Sequence, residues 1–154
     1  MAHIHELIDF VVSIQIVHNG KILMIHHKGL NRWLAVGGHV ELNEDPETAA
    51  IREAKEESGL DVELVGSRPT IDSPGTRMLI PPTYLDIHDI KPGHRHIGMV
   101  YIARAKTDQV MLAPEEHYAI RWFTPEDLED PQYALSPSIK FYATEALRIV
   151  GELN

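Results

Sequence analysis

The strongest constraint on the fold is a segment that carries signals for the start, body and end of one helix. Asp45 is a favourable N-cap residue, and Pro46 suits the first helical position, where its missing N–H costs no hydrogen bond. The following residues are rich in Ala, Glu, Lys and Arg, and Gly59 readily adopts the left-handed conformation that ends many helices. The segment therefore predicts a helix over Pro46–Ser58.

The predicted helix has two faces of opposite character. One face carries acidic residues at i, i+3 and i+4, which are Glu53, Glu56 and Glu57. The other face carries small residues that allow a helix to approach a sheet closely, which are Ala49, Ala50 and Ala54. Like charges at this spacing destabilise a bare helix, so the acidic face requires either a bound cation or full solvation.

Apolar segments typical of strands lie on both sides of this helix. They are Phe10–His18, Lys21–His26, Trp33–Val36, Val62–Val65, Tyr84–His88, His96–Lys106 and Ile120–Phe123. Asn19-Gly20 is a strong β-hairpin signal between the first two segments, and Ser136-Pro137 begins an amphipathic final helix. Helices and strands that alternate in this way predict an α+β fold, with a mixed sheet and helices packed on its faces.

Composition narrows the class of protein. The chain has 154 residues, the size of one domain, and 44% of them are hydrophobic, which is enough for a core. The absence of cysteine from this sequence excludes disulfides, thiolate zinc sites and cysteine nucleophiles. A net charge of −9 argues against a nucleic-acid partner, and short apolar runs argue against a membrane partner. The N-terminus lacks signal-peptide features, so we expect one cytoplasmic domain over residues 1–154.

The acidic face admits two interpretations. A row of glutamates on a helix is commonly a solvated surface. Residues 38–60, however, hold seven acidic and two basic residues, whereas a solvated surface more often intersperses its charges. Carboxylate oxygens suit Mg²⁺ or Mn²⁺, so the alternative is a metal site.

The acidic helix is part of a longer pattern. Gly38 is followed after five residues by Glu44, and after seven more by Arg52-Glu53-Ala54-Lys55-Glu56-Glu57-Ser58-Gly59-Leu60. This pattern resembles a complete Nudix box. Two positions depart from the usual form: Ala54 fills a slot for a bulky apolar residue, and Val36 stands where proline usually precedes the glycines.

The resemblance to the Nudix family extends over most of the chain. The hairpin over 10–26, Trp33 before the glycines, and the segment 121–128 are also similar to Nudix domains. The resemblance implies an α/β/α sandwich with a mixed sheet. It also implies metal-dependent hydrolysis of a small phosphorylated substrate, either a nucleoside diphosphate linked to another moiety or a nucleoside triphosphate. Many members look dimeric, so a homodimer is one expectation.

The resemblance assigns roles to residues of the box. Glu53, Glu56 and Glu57 would bind Mg²⁺ or Mn²⁺, with the Gly38 carbonyl as a further ligand. Arg52 would orient the glutamates, and Glu44 would brace the loop or reach the metal through water. The general base could be a glutamate of the box or a later carboxylate, for which Glu115 and Glu116 are candidates. The alternative for these last two residues is a polar loop.

Other residues are candidates for substrate binding, each with a structural alternative. Gly37 and His39 flank Gly38 and could line the cleft, although a histidine at such a position is more often simply a polar surface residue. Trp33 could stack on a base or anchor the core. The long irregular connection over 67–82, with its two arginines, could face the substrate.

The segment His94-Arg95-His96 places two histidines on one side of an extended strand. With Asp86 and His88 nearby in the sequence, these histidines could form a second metal site. Arg95 could instead help the segment to contact a substrate phosphate. The remaining alternative is an exposed loop that leads into a strand.

Two other functions are alternatives to hydrolysis. An isoprenoid diphosphate isomerase of related fold looks to need a cysteine, which this sequence lacks. A non-catalytic nucleotide-binding Nudix-like domain, such as a nucleotide-sensing regulator, resembles a degenerate box joined to a DNA-binding module. The box here is intact, which favours an enzyme.

Overall fold

The computed structural model describes residues 5–154, which form one eight-stranded sheet with helices on both faces. The strands are β1 (Ile8–His18), β2 (Lys21–His27), β3 (Arg32–Leu34), β4 (Val36–His39), β5 (Val62–Leu64), β6 (Tyr84–Lys91), β7 (His94–Ala105) and β8 (His117–Phe123). The helices are α1 (Pro46–Ser58), α2 (Pro125–Glu129) and α3 (Pro137–Glu152), with a 3₁₀ turn over Pro131–Tyr133. Within residues 5–154, no helix is long and apolar enough to cross a bilayer.

The sheet is mixed, as the sequence predicts. The parallel pair is β1 with β7, in register from Ile8 opposite Arg95 to Val17 opposite Arg104. The other described pairs are antiparallel: β1 with β2 and β4, β2 with β3 and β8, and β7 with β5 and β6. Strand β1 therefore lies between β7 on one side and β4 and β2 on the other.

Two tight hairpins fix the local register. Asn19 and Gly20 both have positive φ, at 46° and 72°, and join β1 to β2 as the sequence predicts. Gly93, with φ 80°, joins β6 to β7, so these strands extend further toward each other than the apolar pattern indicates. His94 therefore lies inside β7, and the interpretation of this segment as an exposed loop is wrong.

Side chains that alternate along the strands supply a core on each face of the sheet. Val12, Ile14 and Ile16 of β1 pack in one buried cluster with the small face of α1, which consists of Ala49, Ala50 and Ala54. Ile22, Met24 and Ile102 point the other way, into a cluster with Ala143, Ala146 and Val150 of α3. These two clusters confirm the predicted α/β/α sandwich.

The long connection over 67–82 is irregular and lies against the start of α1. Glu47 is buried there, where it pairs with Arg68 and accepts a hydrogen bond of 3.0 Å from the Ile80 N–H. Arg77 pairs with the N-cap residue Asp45 at 2.9 Å. Both arginines of this connection therefore contact α1, so they anchor the loop to the helix.

Candidate active site

Helix α1 presents its acidic face where it crosses the end of β4. Asp45 caps the helix by accepting a 2.8 Å hydrogen bond from the Thr48 N–H, and Gly59 ends it with φ 76°. Because the alanine face packs on the sheet, two of the glutamates are drawn into the interface between helix and sheet. Glu53 is 5% exposed and Glu57 is 4% exposed, while Glu56 faces solvent.

The two glycines of β4 allow this close approach. A Cβ on Gly38 would lie 2.2 Å from Oε1 of Glu53, and a Cβ on Gly37 would lie 2.3 Å from the Val12 carbonyl oxygen. The backbone N–H of Gly37 donates a hydrogen bond to Glu57. The sequence predicts a close backbone approach at this pair, and here its partners are the buried carboxylates of α1 and the backbone of β1.

Arg52 holds the acidic groups together. It donates two hydrogen bonds to Glu44, at 2.6 and 3.0 Å, and single bonds to Glu53 at 2.9 Å and Glu56 at 3.1 Å. A further bond of 3.1 Å reaches the carbonyl oxygen of His39. One guanidinium therefore joins the loop before α1, two glutamates of α1 and the end of β4. These contacts are those that an orienting role for Arg52 requires.

Burial makes the glutamates hard to ionise together. Desolvation, and then the neighbouring charge of Glu57, raise the pKa of Glu53 to about 8 against the opposing effect of Arg52. Burial also raises the pKa of Glu57, which hydrogen bonding to His117 opposes. Glu44, in contrast, has its pKa lowered by its hydrogen bonds to Arg52. The two buried carboxylates thus need a cation to be ionised at the same time.

The start of β8 adds two more groups to the cluster. One oxygen of Glu116, one ring nitrogen of His117 and one oxygen of Glu57 lie within 4.8 Å of one another. Glu116 is exposed, as expected of a candidate base, whereas the His117 side chain is fully buried with Nε2 3.2 Å from Oε2 of Glu57. The structure therefore brings Glu116 to the site, and its role as a base stays a prediction.

His117 is a site residue that the sequence analysis misses. It follows Glu116 directly and precedes an apolar strand, so the position of a histidine at a strand start was the available signal. Its proximity to Glu57 depends on the pairing of β8 with β2, where His117 lies opposite His27. That pairing is long-range, and no local pattern encodes it.

The donor set fits a divalent ion with a preference for oxygen. Arg52 holds Glu53 and Glu56, and one oxygen of Glu57 lies within 4.8 Å of one of Glu116. Two of these four carboxylates, Glu53 and Glu57, are buried with raised pKa values. Mg²⁺ and Mn²⁺ prefer such ligands, and either ion would offset the repulsion between the carboxylates. The Gly38 carbonyl stays a predicted ligand.

The candidate substrate contacts are spread over the sheet. Trp33 is half-buried, with its ring stacked on His26 at 5.2 Å and 5.0 Å from the ring of Phe123 in the cluster below α3. The His39 ring lies 3.5 Å from Asp9, on the sheet face opposite Glu53. Arg95 is exposed on β7, opposite Asp89. Of these candidates, the structure brings Gly37 into contact with the glutamates, and substrate binding by the rest stays a prediction.

Comparisons with known proteins agree with this geometry. The NUDIX domain family model matches residues 10–144. A NUDIX-family hydrolase from Clostridium perfringens is 37% identical, covers 92% of this chain and 97% of its own, and has a TM-score of 0.82. A MutT NUDIX hydrolase from Burkholderia pseudomallei is 26% identical, covers 89% of this chain and 96% of its own, and has a TM-score of 0.66.

A more distant likeness concerns the fold alone. An Ap4A hydrolase from C. elegans, solved as a binary complex, is 17% identical, covers 92% of this chain and 98% of its own, and has a TM-score of 0.63. No curated protein matches the chain. The family match nevertheless spans most of the sequence and includes the whole acidic helix. The chain therefore belongs to the Nudix family, as a phosphoanhydride hydrolase.

Proposed function

We propose that this enzyme uses Mg²⁺ or Mn²⁺ to hydrolyse a phosphoanhydride bond, either in a nucleoside diphosphate linked to another moiety or in a nucleoside triphosphate. The observation that carries the proposal is the burial of two neighbouring carboxylates of α1, those of Glu53 and Glu57, whose pKa values are raised. A solvated acidic face would leave these side chains exposed. An arrangement in which burial opposes ionisation is instead suited to a cation.

Residues of the Nudix box would either bind the ion or orient the residues that bind it. Glu53, Glu56 and Glu57, with the Gly38 carbonyl, would be its ligands, and Arg52 fixes the orientation of two of these carboxylates. When bound, such an ion neutralises charge on the diphosphate and lowers the pKa of a coordinated water. Arg52 also holds Glu44, which keeps the loop before α1 in place.

Glu116 is the group that we assign as the general base. Its carboxylate lies within 4.8 Å of Glu57 and is open to solvent, so it can accept a proton and release it again. As the water oxygen forms a bond to phosphorus, its proton passes to Glu116. The bridging P–O bond breaks, and the bridging oxygen leaves with the second phosphate group. The products are two phosphate-containing halves of the substrate.

The remaining expectations are part of the same proposal. We assign the chain a single catalytic domain over residues 1–154, a cytoplasmic location and a small phosphorylated molecule as its partner. Support comes from the charge of −9, which disfavours nucleic acid, and from the absence of cysteine in the sequence. Trp33 and Arg95 are proposed substrate contacts on which the hydrolytic assignment does not depend, whereas the His39 side chain is on the sheet face opposite Glu53.

A substrate screen tests the proposal. The panel holds nucleoside triphosphates, nucleotide sugars, ADP-ribose and dinucleoside polyphosphates, each with Mg²⁺ and with Mn²⁺, and products are separated chromatographically. We expect one class to turn over and EDTA to abolish that turnover. Glu57→Gln should lower the rate at least about 100-fold, because a catalytic ion contributes several kcal/mol to the transition state.

The matched control is Glu152→Gln. Glu152 is an exposed helical glutamate paired with Arg148 at 2.9 Å at the far end of α3. Its variant should retain the wild-type rate. Turnover by Glu57→Gln at the wild-type rate would contradict the site. Binding of a nucleotide without turnover of any compound would favour the non-catalytic alternative.

A further inference from the structure

A second cluster of ligating side chains lies on the sheet face opposite α1. Asp9 of β1 lies opposite His96 of β7, and His94 precedes His96 by two residues on the same strand. His39 of β4 lies opposite Val11, two residues from Asp9. Because paired residues and residues two apart share a face of a sheet, all four ligating side chains point the same way.

Three of the four side chains are buried close together, and His39 lies beside Asp9 with its own side chain 14% exposed. Asp9 is 1% exposed, His94 is 3% exposed and His96 is 8% exposed. Oδ2 of Asp9 lies 3.5 Å from Nε2 of His39 and 3.7 Å from Nε2 of His94. One ligand atom each of Asp9, His94 and His96 lie within 4.8 Å of one another, and the rings of His39 and His96 are 5.0 Å apart.

Hydrogen bonds to the backbone orient two of these groups. Nδ1 of His94 lies 2.9 Å from the Glu6 carbonyl oxygen, which can only accept, so the hydrogen of a neutral ring is on Nδ1. The lone pair of that ring is then on Nε2, the nitrogen that faces Asp9. Oδ1 of Asp9 accepts a 3.1 Å bond from the His5 N–H, which leaves Oδ2 directed at the histidines. Histidines that bind metals are commonly oriented in this manner through their second nitrogen.

We propose that Asp9, His39, His94 and His96 bind one transition-metal ion of the Zn²⁺ type. Three imidazoles and one carboxylate form a four-ligand set suited to Zn²⁺, whereas Mg²⁺ prefers oxygen ligands. Ligand atoms about 2.0–2.1 Å from a tetrahedral ion lie about 3.3 Å apart. The separations of 3.5 and 3.7 Å around Asp9 are close to that value.

The neighbouring Asp86–His88 pair is outside this ligand set. Nδ1 of His88 lies 2.7 Å from Oδ1 of Asp86, and the hydroxyl of Tyr142 on α3 donates to the same carboxylate. The sequence grouped these two residues with His94 and His96. In the structure both oxygens of Asp86 are engaged, one with Nδ1 of His88 and the other with Tyr142, and it is Asp9 that has a ligand atom within 4.8 Å of those of His94 and His96. His88 is consequently a matched control, since its exposed ring lies 5.8 Å from that of His96.

An ion at this position would tie three strands together beneath the active site. Its ligands come from β1, β4 and β7, and His39 directly follows Gly38. The carbonyl of His39 also accepts a hydrogen bond from Arg52. The ion would therefore fix the strand that carries the glycine pair, and its role is structural support of the catalytic loop.

The test measures zinc on the full-length chain. Protein carrying Glu57→Gln, which weakens the carboxylate site, is stripped with a chelator, equilibrated with Zn²⁺ and measured by plasma mass spectrometry. We expect about one Zn²⁺ per chain. Adding His96→Ala should weaken Zn²⁺ binding at least about tenfold, and adding His88→Ala should leave it unchanged. Equal affinity in the His96→Ala and His88→Ala proteins would overturn the proposal.

A measurement on the unaltered ligand set covers the case in which His96→Ala does not fold. X-ray absorption of the zinc-loaded Glu57→Gln protein reports the ligand atoms directly. We expect a four-coordinate shell dominated by nitrogen, with the multiple scattering typical of imidazole rings. A shell of oxygen alone, or no zinc retained above the buffer level, would exclude the site.

Discussion

Strand β4 separates two clusters that differ in their donors and in how the fold assembles them. Gly38 faces α1, where carboxylates from one helix gather, and the next residue, His39, faces the cluster of Asp9, His94 and His96. The glutamates share a face because of helical spacing, which is local. The histidines and Asp9 come from three strands, and strand register brings them together. Two chemically distinct sites can thus be built back to back across one sheet.

Among the substitutions that distinguish the two clusters, Gly38→Ala is expected to have the largest effect. The added Cβ would lie 2.2 Å from Oε1 of Glu53, against about 3.4 Å for an ordinary contact, so the carboxylate must move by roughly 1 Å. A displacement of that size in catalytic machinery can cost about 100-fold in rate. Because the clashing atom ends a flexible side chain, the fold should be retained. Steady-state kinetics and a thermal melt measure the two effects.

Gly151→Ala is the control for this substitution. A Cβ on Gly151 of α3 would meet no atom within 4 Å, and alanine is favoured over glycine in a helix by about 0.5–1 kcal/mol. This variant should keep its activity and melt at the same or a higher temperature. Full activity in Gly38→Ala would mean that the position of Glu53 is not critical. That result would contradict the assignment of Glu53 as a ligand of the catalytic ion.

A smaller effect is expected for Arg52→Lys. The guanidinium makes two bonds to Glu44 and reaches two further carboxylates, and a single ammonium cannot reproduce this geometry. Groups that orient metal ligands contribute about 10- to 100-fold to metal affinity or activity, and lysine keeps the charge, so we expect about tenfold. The measurement is the Mg²⁺ concentration needed for half-maximal rate.

Arg148→Lys provides the comparison. Arg148 also makes two bonds to one carboxylate, that of Glu145, and a third to Glu152, but on α3 and exposed to solvent. Its replacement should leave the Mg²⁺ requirement unchanged. If both variants leave the Mg²⁺ requirement unchanged, Arg52 contributes only to the helix surface. Arg52 would then not orient the metal ligands of the carboxylate cluster.

The same contrast explains how far the sequence could predict this molecule. The cap at Asp45, the hairpin at Asn19-Gly20 and the spacing of the glutamates are local, and the structure confirms each of them. The sequence also placed His94 and His96 on one side of a strand. It could not find Asp9, because the parallel register of β1 with β7 joins residues that are far apart in the chain. His117 was missed for the same reason.

The smallest effect concerns His117, which gives the carboxylate cluster one imidazole of its own. Its buried Nε2 lies 3.2 Å from Oε2 of Glu57, and this contact opposes the effect of burial on the pKa of Glu57. We expect His117 to position Glu57 by a hydrogen bond without binding the ion. Because the amide of His117→Gln can still donate such a bond, the loss should be about 1 kcal/mol, or about fivefold in kcat.

The choice of metal decides between positioning and ligation at His117. Imidazole nitrogen suits Mn²⁺ better than Mg²⁺, so a ligand at this position would favour Mn²⁺ and its loss would lower the ratio of Mn²⁺ to Mg²⁺ rates. A positioning residue acts through Glu57, and its replacement should lower both rates by the same factor. An unchanged ratio therefore supports an all-oxygen site on the α1 face. A lower ratio of Mn²⁺ to Mg²⁺ rates would mean that His117 binds the ion. Both clusters would then combine carboxylate oxygen with imidazole nitrogen and would differ only in the proportion of the two donors.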